Sequence, residues 1–94
     1  MTKISVIIKD KSYHYEGLRS SLGLLLEDAD VYMFVIEDEI DVDEAYHDNL
    51  GFFEEMGGNY FSNNTENVKK YGFKYVDYDR IYKFMKDSDI VIPF

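Results

Sequence analysis

Along the chain, continuous apolar runs alternate with segments in which apolar residues recur at helical spacing. The segments 4–8 and 31–36 are short runs that are mostly apolar and rich in β-branched and aromatic residues. Such runs are typical of strands buried on both faces of a sheet. Between them, Leu18, Leu22 and Leu25 recur at helical spacing, which predicts a helix over 15–27 with one apolar stripe. Gly23 lies inside this helix, and we expect it to allow close packing of the helix on the sheet.

The same alternation continues to the end of the chain. A second helix is predicted over 41–56, where Gly57 and Gly58 end it. Asn63, with Glu66 three residues later, predicts the start of a third, short helix. The remaining predicted elements are strands over 59–62, 73–76 and 89–92, and a fourth helix capped by Asp77 or Asp79.

Five strands alternate with four helices through short connections. This order predicts one α/β domain over residues 1–94, with a mostly parallel five-stranded sheet between two layers of helices. In such sheets ligands bind at the carboxyl ends of the strands. A small enzyme or small-ligand-binding domain would therefore use a cleft there, and the candidate lining residues are Asp10, Ser12, His14, Ser62, Asn63 and Asn64.

His14 is the candidate with the most chemical potential. An imidazole titrates near neutral pH and is suited to general acid–base work. Asp10 and Ser12 could join it, but sequence alone supplies no geometry for a catalytic group. We therefore predict His14 as a lining residue of the cleft and assign no catalytic residue.

Several ligand classes are disfavoured by the sequence. It contains neither a GxGxxG nor a GxxxxGK[ST] phosphate-binding motif, so we predict no nucleotide cofactor. With 19 acidic and 10 basic residues the formal net charge is −9, which argues against nucleic acid and anionic membranes as partners. No leader peptide or membrane-spanning run is recognisable, so we expect a cytoplasmic protein.

Metal and thiol chemistry are also disfavoured. The chain has no cysteine, hence no disulfide and no thiolate nucleophile. The acidic run 37–44 lacks the glycine that an EF-hand loop requires. Asp43 and His47, one helical turn apart, could share a metal ion, but acids at the start of a helix are explained by the helix dipole. We predict no metal site.

The aromatic content suggests association with other subunits. Nine Tyr and seven Phe are many for a chain of 94 residues, and Tyr is enriched at protein interfaces. A core rich in half-exposed Tyr rings is an equally open explanation.

Three stretches together resemble the DsrE/DsrF/DsrH-like family of small sulfur-relay proteins. They are the strand 4–9 followed by the loop Asp10-Lys11-Ser12-Tyr13 and a Leu-rich helix, the strand 30–36 with its acidic end at 37–38, and the closing segment 70–94. The resemblance covers nearly the whole chain and is one of pattern and order more than of exact motifs.

The resemblance implies a flavodoxin-like three-layer fold and assembly into homotrimers, homohexamers or mixed oligomers with a related subunit. Active members of the family carry a cysteine just after the third strand, which relays sulfur as a persulfide. The matching stretch here, residues 60–65, contains Ser62 and no cysteine. A hydroxyl forms no persulfide, so the resemblance implies a non-catalytic, DsrE-like subunit that acts through oligomerisation and is linked to sulfur relay.

Overall fold

The computed structural model describes residues Met1–Phe94 and contains one sheet flanked by helices. In chain order the elements are β1 (Lys3–Ile8), a short 3-10 turn (Lys11–Tyr13), α1 (His14–Leu26), β2 (Asp30–Val35), α2 (Glu44–Glu55), β3 (Asn59–Ser62), α3 (Thr65–Tyr71), β4 (Lys74–Tyr75), α4 (Tyr78–Asp87) and β5 (Ile90–Pro93).

All five strands are parallel, in the order β4-β3-β2-β1-β5. From β1 to β4 each strand is added on the same side of the one before. Right-handed crossovers therefore place α1, α2 and α3 on one face of the sheet. The chain then returns to the far side of β1, which places α4 on the opposite face. The predicted three-layer α/β/α, flavodoxin-like architecture is confirmed, whereas the order of the strands, which differs from that of flavodoxin itself, could not be read from the pattern.

Alternating side chains of the central strands form two separate cores. On the face of α1, α2 and α3, Val6 and Met33 belong to a cluster of 13 buried residues. On the face of α4, Phe34 and Phe61 stack with ring centroids 5.0 Å apart and belong to a cluster of five. Both faces of β1 and β2 are thus buried, as their apolar runs predicted.

Glycine 17, and not Gly23, is where α1 approaches the sheet. A Cβ atom at Gly17 would overlap the fully buried side chain of Ile8 on β1, whereas a Cβ at Gly23 would meet no atom within 4 Å. The expectation that Gly23 allows close packing is therefore wrong. Gly23 lies on the exposed side of the helix. The apolar spacing of the sequence does not show which of the two glycines faces the sheet.

Two of the predicted helix starts are shifted. The side chain of Asn64, and not that of Asn63, caps α3 by accepting hydrogen bonds from the backbone N–H groups of Glu66 and Asn67. The second helix begins after Asp43, which caps it, so residues 41–43 lie outside the helix. Asp77 caps α4, which resolves the choice between Asp77 and Asp79. None of the helices is both long and apolar enough to cross a membrane.

Candidate functional site

A cavity of about 230 Å³ opens at the carboxyl edge of the sheet, between the β1–α1 and β2–α2 connections. Each connection follows one of two adjacent strands, so their side chains meet at this edge. The cavity is lined by seven residues, Lys11, Ser12, His14, Tyr15, Asp41, Asp43 and Tyr46.

The imidazole of His14 lies in the wall of this cavity. His14 is the first residue of α1 and is only 6% exposed. Its Nε2 atom is buried and has no hydrogen-bond partner. Burial lowers the pKa of His14 below its ordinary value, and the nearby carboxylates of Asp38 and Asp10 offset only part of that effect. The ring is therefore neutral at neutral pH, and its Nε2 atom can donate or accept one hydrogen bond.

Tyr46, on α2, lines the same cavity as His14. It is 2% exposed, and its hydroxyl is the other buried side-chain nitrogen or oxygen of the chain that has no hydrogen-bond partner. Burial raises the pKa of this hydroxyl, so it stays protonated. Buried polar groups in folded proteins are nearly always paired, and each exception calls for an explanation. Here both exceptions belong to residues that line one cavity.

The rim of the cavity is polar and carries charges of both signs. On the β1 side, Asp10 caps the turn before α1 by accepting hydrogen bonds from the Ser12 hydroxyl at 2.7 Å and the Ser12 N–H at 2.9 Å. These bonds lower the pKa of Asp10. The ammonium of Lys11 is on this side, and the carboxylates of Asp41 and Asp43 are on the other. The cavity can therefore offer a cation and two anions to a small polar molecule.

Ser62 lies away from this cavity and has a structural role. It is fully buried at the end of β3. Its Oγ atom accepts hydrogen bonds from the N–H of Asn64 at 3.0 Å and from the side-chain amide of Asn67 at 3.1 Å. The Asn67 amide also donates to the carbonyl of Asp38 and accepts from the N–H of Ile40. Ser62 and Asn67 therefore tie α3 to the connection after β2.

Asn63 and Asn64 hold the same connection at Glu37. Glu37 has φ of 75°, a left-handed conformation that is unfavourable for a residue with a Cβ atom. Asn63 Oδ1 accepts a hydrogen bond from the Glu37 N–H at 2.7 Å, and the Asn64 side chain donates to the Glu37 carbonyl at 3.1 Å. Both peptide groups of the strained residue are thereby fixed.

The six residues predicted to share one cleft thus form two groups. Ser12 and His14 line the cavity, and Asp10 positions the turn beside it. Ser62, Asn63 and Asn64 line none of the cavities of the chain. The reason is the strand order: β2 lies between β1 and β3, so the connection that follows β2 separates the two groups.

Two residues that shape this edge of the sheet give little signal in the sequence. Tyr46 has the helical spacing of a core residue, four residues before Leu50, and this spacing gives no sign of a cavity. Asn67 gave a weak signal as an amide in the middle of a short helix. Its partners, Asp38 and Ile40, are more than 25 residues away in sequence, and no local pattern reveals them.

The chain has no group of three or more His, Asp or Glu side chains close enough to hold a metal ion. His47 lies on the exposed side of α2, where its Nδ1 atom is 3.8 Å from a carboxylate oxygen of Asp48.

Comparisons with known proteins found no relative of the chain. No protein-family model, no curated protein and no solved structure matches it.

Proposed function

We propose that this protein is a non-catalytic, DsrE-like binding subunit that acts through self-association. The proposal combines the resemblance of the sequence with the structural role of the residues after β3. The link to sulfur relay belongs to the proposal through the resemblance alone.

The observation that carries the proposal is the engagement of Ser62 in hydrogen bonds. The family resembled here performs its chemistry just after the third strand. In this chain Ser62 is fully buried and bonded to Asn64 and Asn67, with no imidazole or carboxylate among its partners. A serine hydroxyl needs an adjacent base to become a nucleophile. The position is therefore suited to holding the fold and not to reacting with a substrate.

Uneven coverage of the sheet supports self-association. Three helices cover one face, but only α4 covers the other, and Val91 of β5 is left 36% exposed. The outer edge of β5 forms no strand pair. Unpaired edges and exposed apolar side chains favour contact with another chain. Further exposed aromatic residues are Tyr75, Tyr78 and Tyr82, the last being 62% exposed.

Co-expression of two differently tagged copies tests the proposal. If the protein self-associates, capture through one tag retains the second copy in a fixed ratio that survives washing. Recovery of only the captured copy contradicts self-association. Recovery of a related, cysteine-containing subunit from native cells in its place identifies a mixed oligomer.

The cavity of His14 and Tyr46 supports a second candidate function, the binding of a small zwitterion such as a free amino acid. Lys11 would face its carboxylate, Asp41 and Asp43 its ammonium, and the two unpartnered groups its remaining polar atoms. A cavity of about 230 Å³ is smaller than the usual sites for drug-sized ligands, which span about 300–1,000 Å³.

The variant Tyr46→Phe tests whether the Tyr46 hydroxyl binds a ligand or is only an unpaired polar group in the core. Removing a buried, unpaired hydroxyl should raise the free energy of unfolding by about 1 kcal/mol. If the cavity binds a zwitterion, titration of the wild type with glycine shifts the NMR signals of the His14 ring, and the variant responds more weakly. Unchanged His14 signals with glycine, alanine and serine would remove this candidate.

A further inference from the structure

Another of the five cavities of the chain, of about 180 Å³, lies beside α4, where that helix crosses the sheet. We call it the basic groove. Its lining residues are Lys3, Arg80, Lys83, Phe84 and Asp87.

The three cations of the basic groove have no ion-pair partner. No carboxylate oxygen lies within 4.0 Å of the charged nitrogens of Lys3, Arg80 or Lys83, and Asp87 lines the groove without pairing with them. The Lys3 ammonium instead lies 5.0 Å from the ring centroid of Tyr32. Three cations and one carboxylate line the groove, so its formal charge is positive in a chain with a net charge of −9.

The feature of opposite charge is the acidic segment 37–44, which runs through the β2–α2 connection to the first residue of α2. Two of its six carboxylates form ion pairs, Glu37 with Lys9 and Glu39 with Lys70. A third caps α2. The other three, on Asp38, Asp41 and Glu44, are exposed and have no ion-pair partner.

The two features lie on opposite faces of the sheet. Ile40 of the acidic segment packs in the core on the face of α1, α2 and α3, whereas Phe84 of the basic groove packs in the core on the face of α4. Glu37 contacts α4 through the Tyr78 hydroxyl, which donates to the Glu37 carboxylate at 3.0 Å, but no carboxylate of the segment lies within 4.0 Å of a groove cation of the same chain. A contact between the unpaired acids and the groove therefore joins two chains.

We infer that the acidic segment of one copy docks into the basic groove of the next. This inference rests on the proposed self-association and names its contact. Two copies that each carry a charge of −9 repel one another, so electrostatics favours the orientation in which the unpaired charges of opposite sign meet. The contact joins different surfaces of the two copies, and such head-to-tail contacts close into rings when the rotation permits.

A pair of charge-reversal variants tests the contact. Arg80→Glu with Lys83→Glu reverses the groove, and Lys69→Glu with Lys74→Glu makes the same change at exposed positions outside it. Each replacement of a cation by Glu lowers the net charge by two, so the net charge of both variants is −13 instead of −9. We expect the groove variant to self-associate roughly 100-fold more weakly than the control variant, because like charges now face each other.

A third variant, Asp41→Lys with Glu44→Lys, completes the design. Alone it should also associate more weakly, and mixing it with the groove variant should restore association between the two variants, because each groove again meets a segment of opposite charge in the other variant. Circular dichroism verifies folding, and Arg80→Gln with Lys83→Gln serves if the reversal prevents it.

The outcomes separate this inference from the proposed function. A monomeric wild type overturns self-association itself. An oligomeric wild type whose mass is unchanged in the groove variant, or which both double reversals dissociate equally, overturns only the contact. Binding of inorganic phosphate to the wild type but not to the groove variant, with unchanged mass, would make the groove a small-anion site and likewise overturn it.

Discussion

The asparagine side chains around β3 fix the shape of the carboxyl edge. Asn67 is fully buried and satisfies three groups at once: the N–H of Ile40, the carbonyl of Asp38 and the hydroxyl of Ser62. Asn63 and Asn64 hold Glu37 in its left-handed conformation. The connection that carries the acidic segment is therefore shaped by side chains of a neighbouring element.

Replacing Asn67 should destabilise the fold. In Asn67→Ala, the N–H of Ile40 is left buried without a partner, and we expect the free energy of unfolding to fall by about 2–3 kcal/mol. Urea denaturation measures the change. Asn49→Ala is the matched control, because its exposed amide makes a single hydrogen bond to Tyr15 and its loss should cost about 0.5 kcal/mol or less. Equal losses in the two variants would contradict the role assigned to Asn67.

The buried imidazole of His14 should make stability depend on pH. Its pKa is lowered in the folded state, so the unfolded chain binds the proton first as the pH falls. Stability is then complete above the unfolded pKa of about 6.5 and decreases below it, down to the folded pKa. Asp10, whose pKa is lowered from 3.8, contributes its loss only in a more acidic range.

Urea midpoints measured from about pH 8 to pH 5.5 check this dependence, because the window brackets the ordinary histidine pKa. His14→Gln should remove most of the decrease, whereas His47→Gln, at an exposed position, should retain it. The same slope in the His14 variant and the wild type would show that other groups cause it.

At the scale of elements, the fit of α1 against β1 depends on one glycine. Gly17→Ala should lower the free energy of unfolding by about 1–3 kcal/mol, because the added methyl group overlaps the buried Ile8. Gly23→Ala, in the same helix, should raise it by about 0.5–1 kcal/mol, since alanine favours the helix and meets no neighbour. Thermal denaturation of both variants decides this. A change of the same sign in both would contradict the assigned packing.

The elements themselves were predictable, because each depends on local pattern. The apolar runs of β1 and β2 indicate strands, the apolar stripe of α1 indicates a helix, and the alternation of the elements indicates the three layers. The predictions that were wrong concern features that depend on contacts between residues distant in sequence. Asn63 and Asn64 both suit a cap, and only the hydrogen bond of Asn63 to Glu37 decides which one caps α3. Predicting which residues line the cavity likewise requires the order of the strands, which local patterns do not reveal.

At the scale of the whole molecule, the fold is asymmetric in two respects. One face of the sheet is covered by three helices and the other by α4 alone. Two surface features of opposite charge are also separate, the basic groove beside α4 and the acidic segment between β2 and α2. The proposed self-association would cover both the thinly covered face and the charged surfaces, which is why we propose that the chain functions through contacts with other subunits.

Sedimentation velocity of the untagged wild type at micromolar concentration tests this central claim most directly. The account predicts a discrete species whose mass is a multiple of the 11.1 kDa chain, three or six copies being the expected numbers. It also predicts that high salt weakens the species, because salt screens the contact between the groove and the acidic segment. A single 11.1 kDa species at every concentration and salt level would contradict it.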